Sequence, residues 1–378
     1  MSPAQPEEPA DADQQGPAVA ASRPEVALRP GYHSPQVEVD VRLNTNESPE
    51  APPAAFVEAL AEELRSLHFH RYPDREATAL RAALAAHHQV EPRQVFCANG
   101  SNEAIQCLLL AYCGPGRPAM LFEPTYALHS HIARLTNTPV VSGLRDDAFR
   151  VVPEEVRRVA ATAVQKFGPA SPAVTFLCSP NNPTGGVETA ENVEAVLSLV
   201  PGLLAVDEAY GQFAPWSSLE LLTSETRLVV LRTFSKTWAM AGLRLGYLIA
   251  DAEVVDTLSN VALPYHLDAF KQAAGRLALG FSDEMRYRVA GTVEERGRVA
   301  AALGNLPVEV WPSQANFILF RVTSRDGSAV WQELLAHSVL VRDVSGYPGL
   351  ENCLRVTIGT PSENDRFLAA LQAVLSRR

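Results

Sequence analysis

Lys236 stands directly after an apolar run, residues 228–233, with Phe234 and Ser235 between them. Three other apolar runs are also followed at once by polar clusters. Residues 94–97 lead into Asn99-Gly100-Ser101-Asn102-Glu103, residues 174–179 into Ser179-Pro180-Asn181-Asn182-Pro183-Thr184-Gly185, and residues 203–206 into Asp207-Glu208-Ala209-Tyr210. Each cluster alone has an ordinary reading. Asn and Ser cap helices, Asn-Asn-Pro makes turns, and a lone Asp or Lys after a strand is commonly solvated. Together they supply an amine nucleophile, a carboxylate, a phenol, an amide and a run of small residues at a helix start.

One chemistry needs that whole set. Small residues before a helix cradle a phosphate, because the first backbone N–H groups point outward there. Gly100, Ser101 and Asn102 fit that role, and Ser235 and Arg244 add a hydroxyl and a fixed positive charge. The amine of Lys236 can bond an aldehyde. A buried carboxylate such as Asp207 raises the pKa of a pyridine nitrogen and keeps the ring an electron sink. Asn182 and Tyr210 can donate to the ring oxygen. The ligand implied is pyridoxal 5′-phosphate (PLP).

These clusters need a scaffold that brings strand ends together. Residues 94–97, 119–123, 174–179, 203–206, 228–233 and 245–250 read as short buried strands of a mainly parallel sheet, with helical patterns such as 103–112 and 192–199 between them. In such α/β sheets ligands bind beyond the carboxyl ends of the strands. After residue 263 the pattern becomes a long helical stretch (268–303), a strand at 317–322, a helix near 329–337 and strands near 339–342 and 353–358, a smaller α+β domain. The expected division is a disordered tail at 1–24, with five prolines and four acids; an N-terminal arm at 25–45 joining the small domain and a dimer interface; a large domain at 46–263; and a small domain at 264–378.

The ordered motifs RLNTNESP (42–49), RYPD (71–74), ANGSNEAI (98–105), EPTYALH (123–129), SPNNPTGG (179–186), VDEAYGQF (206–213), RTFSKTWAMAGLRLGYLIA (232–250), SQANFILF (313–320) and LRVTIGT (354–360) resemble those of the fold-type-I PLP aminotransferases, and more closely the histidinol-phosphate aminotransferase group. The likeness spans roughly residues 25–375. It implies an aspartate-aminotransferase-like fold in a homodimer. It also implies that Lys236 holds the cofactor and carries protons, that Asp207 pairs with the ring nitrogen, and that Tyr126 stacks on the ring. Asn182 and Tyr210 would bond the ring oxygen. Ser101, Asn102, Ser235 and Arg244 would bind the cofactor phosphate, with Tyr72 reaching it from the neighbouring subunit. Arg355 would take the anionic end of the amino acid, and in the histidinol-phosphate group Arg342 and Tyr32 would help it grip a phosphate. Gly31 and Trp238 stand where the family more often has Pro and Phe, so they bear on the choice of substrate.

The expected reaction is transfer of an amino group from histidinol phosphate to 2-oxoglutarate, giving glutamate, in histidine biosynthesis. Its alternatives are transamination of aromatic or secondary-metabolite amino acids, or decarboxylation of a phosphorylated amino acid. A net charge of −11 argues against nucleic acid as a partner. No apolar run reaches membrane-spanning length and no basic-then-apolar leader opens the chain, so a cytoplasmic location is expected. The five cysteines include no Cys-x-x-Cys, and His68-x-His70 and His129-x-His131 lack a third ligand, so no metal is expected. Gly114-Pro115-Gly116 lacks the third glycine of a dinucleotide fingerprint, and neither Gly-x-Ser-x-Gly nor a phosphate-loop Gly-Lys-Ser/Thr occurs.

Overall fold

The computed structural model describes residues 35–222 and 227–376, with 20, 22 and 23. Nearly all of the expected tail, the first part of the arm and Tyr32 lie outside the described residues. A short strand, β1 (Val41–Arg42), precedes the strands of the large sheet: β2 (Val95–Ala98), β3 (Ala119–Glu123), β4 (Val140–Leu144), β5 (Val174–Cys178), β6 (Leu203–Asp207), β7 (Leu228–Thr233) and β8 (Gly246–Ile249). Their order is β2-β8-β7-β6-β5-β3-β4. Only β8 runs against its neighbours; the others are mutually parallel.

Burial on both faces explains the continuous apolar runs. Phe96, Leu121, Phe176, Ala205 and Leu231 pack on one side with Ile105 and Leu108 of the helix Gly100–Tyr112. Met120, Phe122, Leu177, Val206 and Val230 pack on the other with Val156 of Pro153–Phe167 and Val193 of Ala190–Leu199. The sequence pattern missed β4, which sits at the sheet edge, is half exposed, and reads Val-Val-Ser-Gly-Leu rather than as an apolar run.

The second sheet has the order β12-β13-β10-β9, all antiparallel, from β9 (Val308–Val310), β10 (Phe317–Val322), β12 (Arg342–Asp343) and β13 (Cys353–Thr357). Its core adds Val299 and Leu303 of the helix Ser282–Leu303, Val330 and Leu334 of Gly327–Ala336, and Phe367, Leu371 and Val374 of Pro361–Leu375. Two expectations need correcting. The stretch 268–303 is broken, with Ala269–Ala278 and Ser282–Leu303 separated by a tight turn at Leu279–Phe281 that contains Gly280. The strand expected at 339–342 is two: β11 (Val339–Leu340) pairs in parallel with β1, and β12 joins the small sheet. Val41 and Leu43 are thereby buried in the small-sheet core.

Candidate active site

The carboxyl ends of β2, β5, β6 and β7 open onto one cavity of about 220 Å³, lined by residues of all four following loops and of the arm. Antiparallel β8 enters at that same end, so Arg244, just before it, reaches the group that follows β7. The anion cradle is built here. Asn99 precedes the helix Gly100–Tyr112 and turns its own N–H and amide to Glu103 (2.6 and 3.0 Å). The first helical N–H groups beyond it have no partner inside the helix. Two glycines allow the close approach. Gly100 has φ +76, and a Cβ there would lie 2.6 Å from the Arg244 guanidinium; at Gly246 it would lie 2.3 Å from the Ser101 nitrogen. Ser235 Oγ accepts from Arg244 (3.1 Å) and from Thr233 (3.0 Å), leaving its own hydrogen to donate outward.

Lys236 projects into the same cavity and its Nζ donates to the Thr45 carbonyl at 3.1 Å. Burial, followed by the charges of Arg355 and Arg244, lowers its pKa from 10.5 to about 7, against a pull upward from Glu47. Such an amine is largely neutral just above neutrality and can act as a nucleophile.

Asp207 ends β6 at 1% exposure. One of its oxygens contacts His129 Nε2 at 3.0 Å, and the other accepts the Ala209 N–H at 3.1 Å. His129 is fully buried and stacks on Phe176, with centroids 4.6 Å apart. It is thus a carboxylate-orienting residue, which the sequence pattern presented only as half of a metal-like pair. Tyr126 lines the cavity and donates to Asn102 Oδ1 at 3.2 Å.

Asn182 and Tyr210 meet across the cavity, Nδ2 to Oη, at 3.5 Å. Burial pushes the Tyr210 hydroxyl well above its ordinary pKa. Arg355, 7% exposed on β13, donates to Asn182 Oδ1 (2.6 Å) and to the Asn44 carbonyl (2.7 Å). Arg342 lies directly opposite Arg355 in the β12–β13 register, although it is not among the residues lining the cavity. The neighbouring Asp343 accepts from Ser328 and Ser345. Tyr72 is elsewhere, 81% exposed and stacked on Tyr265 at 4.4 Å. Tyr32 lies outside the described residues. The sequence reading did not single out Asn44 and Thr45 at the end of the arm, or Asn46 just past it, all of which line the cavity.

Among the described residues there is no group of three side chains suited to a metal ion, and no helix is long and apolar enough to cross a membrane. The profile of the family "Aminotransferase class I and II" matches residues 38–371. The histidinol-phosphate aminotransferase of Frankia casuarinae is 46% identical over 361 residues, 91% of this chain and 88% of that protein. That of Corynebacterium diphtheriae is 41% identical over 362 residues, 93% of this chain and 96% of that one. Among solved structures, histidinol-phosphate aminotransferase from Sinorhizobium meliloti in complex with pyridoxal-5′-phosphate has the same fold, with a TM-score of 0.79 at 24% identity, covering 89% of this chain and 91% of that one. A profile spanning both sheets, and curated relatives matched nearly end to end, put the chain in the class I and II aminotransferase family beside the histidinol-phosphate aminotransferases.

Proposed function

We propose that this chain is a PLP-dependent aminotransferase that moves the amino group of histidinol phosphate to 2-oxoglutarate. The observation that carries the reading is the meeting, in one cavity, of the lowered-pKa Lys236 amine, the buried Asp207–His129 pair and the Gly100–Arg244–Ser235 cradle. The fit to the cofactor is chemical: a glycine-walled anion cradle, an amine close to it, and a carboxylate held for a cationic ring nitrogen. When bound, PLP supplies the aldehyde that links to an amine and the ring that takes up electrons from the substrate Cα–H bond.

The protein's own residues do the rest. Ser101, Asn102, Ser235, Arg244 and the Gly100 turn hold the phosphate. Asp207, oriented by His129, keeps the ring nitrogen protonated, while Tyr126 covers the ring face. Asn182 and Tyr210 donate to the ring oxygen. The Lys236 amine, with its lowered pKa, would hold the cofactor and take up and return a proton at the substrate Cα. Arg355 and Arg342, adjacent across two strands, form a doubly cationic end for a phosphate, with Tyr32 assisting. Tyr72 completes the phosphate site of a second copy in a homodimer. The arm (25–45), large domain (46–263) and small domain (264–378) are the units that carry these parts.

The identity of 40–46% to histidinol-phosphate aminotransferases supports the substrate, and the paired arginines suit it. The test follows each half-reaction by absorbance. Arg342→Leu should raise KM for histidinol phosphate about 10²-fold, as expected from losing one charged hydrogen bond of ~2–3 kcal/mol. It should affect glutamate less, since the α-carboxylate leans on Arg355. Equal loss for both substrates, or for neither, rejects phosphate selection by this pair.

A further inference from the structure

One residue just past the arm, Asn46, ties the cavity phenol to the small sheet. Asn46 is 1% exposed and adopts a left-handed backbone with φ +56. Its main-chain N–H donates to Thr357 Oγ1 at 3.0 Å, and the Thr357 hydroxyl donates back to Asn46 Oδ1 at 2.9 Å. That reciprocal pair decides which end of the Asn46 amide faces which way. The NH2 end is left facing Tyr210 and donates to its Oη at 2.9 Å. Asn316 Nδ2 fixes the Asn46 carbonyl from the other side at 3.2 Å.

A phenol oxygen carries one hydrogen and accepts through its lone pairs. Both amides that reach Tyr210 Oη, from Asn46 and Asn182, do so with NH2 groups, which cannot accept. The phenol hydrogen therefore has no acceptor in either amide and is free to turn into the cavity. Burial keeps the hydroxyl protonated, so the hydrogen is there to be given. The charged and titratable groups around Tyr210 are Arg355, Asp207, Cys178 and Lys236, whose Nζ lies 5.7 Å from the ring centre.

We propose that Asn46 is a positioning residue: by occupying the Tyr210 oxygen as a donor, it aims the phenol hydrogen at the ring oxygen of the bound cofactor. This rests on the assignment of Tyr210 to that oxygen. The polar chain then runs from Thr357 through Asn46 to Tyr210. The strand that carries the substrate-binding Arg355 also carries, two residues on, the hydroxyl that orients this chain.

The test is a pH titration of the absorbance of the Lys236-bound cofactor in the holoenzyme, read without turnover. A hydrogen bond to the ring oxygen favours the deprotonated chromophore and lowers its midpoint. Asn46→Asp removes the donor and offers an acceptor that turns the phenol hydrogen away, so the midpoint should rise by on the order of one pH unit. Asn46→Gly keeps the left-handed backbone and adds no charge; the rise should be smaller but in the same direction. Thr357→Val, a second route to the same end, should also raise it. Tyr210→Phe calibrates the effect, and in that background Asn46→Gly should shift the midpoint by less than ~0.2 units, because its target is gone. If Tyr210→Phe moves the midpoint and the Asn46 and Thr357 changes do not, the inference fails alone. It also fails if Asn46→Gly shifts both backgrounds equally. If Tyr210→Phe leaves the midpoint unmoved, the assignment of Tyr210 fails and takes the inference with it.

Discussion

At the scale of single residues, the lowered pKa of Lys236 sets a pH dependence. Only the neutral amine bonds an aldehyde. With a pKa of about 7, the neutral fraction rises from roughly a tenth at pH 6 to about nine-tenths at pH 8. Loading of PLP onto the apoprotein, followed as growth of yellow absorbance, should therefore speed up about tenfold across that window. A flat or falling profile contradicts the lowered pKa. Borohydride treatment should fix the colour onto Lys236 and leave Lys236→Ala unlabelled. If Asp207 holds the ring nitrogen as proposed, Asp207→Asn removes the charge that keeps it protonated, and turnover should drop on the order of 10³-fold, ~4 kcal/mol in the barrier, with the fold intact. Turnover near the unaltered level rules Asp207 out of this role. Lys236, Asp207, Tyr210 and Asn182 could be picked out from sequence because each closely follows an apolar run. His129 and Asn46 could not, because what defines them is a partner 78 or 164 residues away, Asp207 or Tyr210, and no local pattern encodes such a pairing.

At the scale of elements, the cradle depends on how closely β8 passes the start of the helix Gly100–Tyr112. Gly246→Ala places a methyl where the Ser101 backbone nitrogen already sits. The helix start must move, which costs about 1–3 kcal/mol of stability. The PLP dissociation constant should rise at least ~10-fold, equivalent to ~1.4 kcal/mol, in an equilibrium titration. Unchanged affinity would falsify the cradle. Sequence placed 245–250 as a strand but gave no direction for it, because an apolar run fully buried on both faces looks the same either way up. β11 and β12 could not be separated either. Nothing in Val339–Asp343 marks that its first half pairs with the arm and its second with β13; the far strands make that choice.

At the scale of the whole molecule, Phe69, Tyr72, Leu263 and Tyr265 place large apolar side chains at the surface, and Tyr72 stacks on Tyr265 there. An exposed aromatic stack of this kind suits a surface that a partner covers. In the proposed homodimer, Tyr72 serves the partner's cofactor. Mixing inactive Lys236→Ala protein with an inactive Tyr72→Ala protein, followed by subunit exchange, should restore activity, because one of the two hybrid sites is whole. Absence of recovery with exchange verified by native mass spectrometry argues against shared sites.

The pairing of β1 with β11 has a temporal consequence. Asp40 and Ser338 hydrogen-bond across 298 residues, and just beyond them Thr45 and Asn46 form one wall of the cavity. A chain emerging from the ribosome can assemble the large sheet once residue 249 is out, but its first strand has nowhere to dock until residue 340 has left the exit tunnel. The carbonyl that receives Lys236 and the amide that orients Tyr210 are thus synthesised long before the strand that seats them. Non-local closure of this kind is slow to form. A nascent chain halted before β11 would carry the lysine, the cradle and the carboxylate without the wall that holds them in register, so competence to bind cofactor arrives only after β11 has emerged.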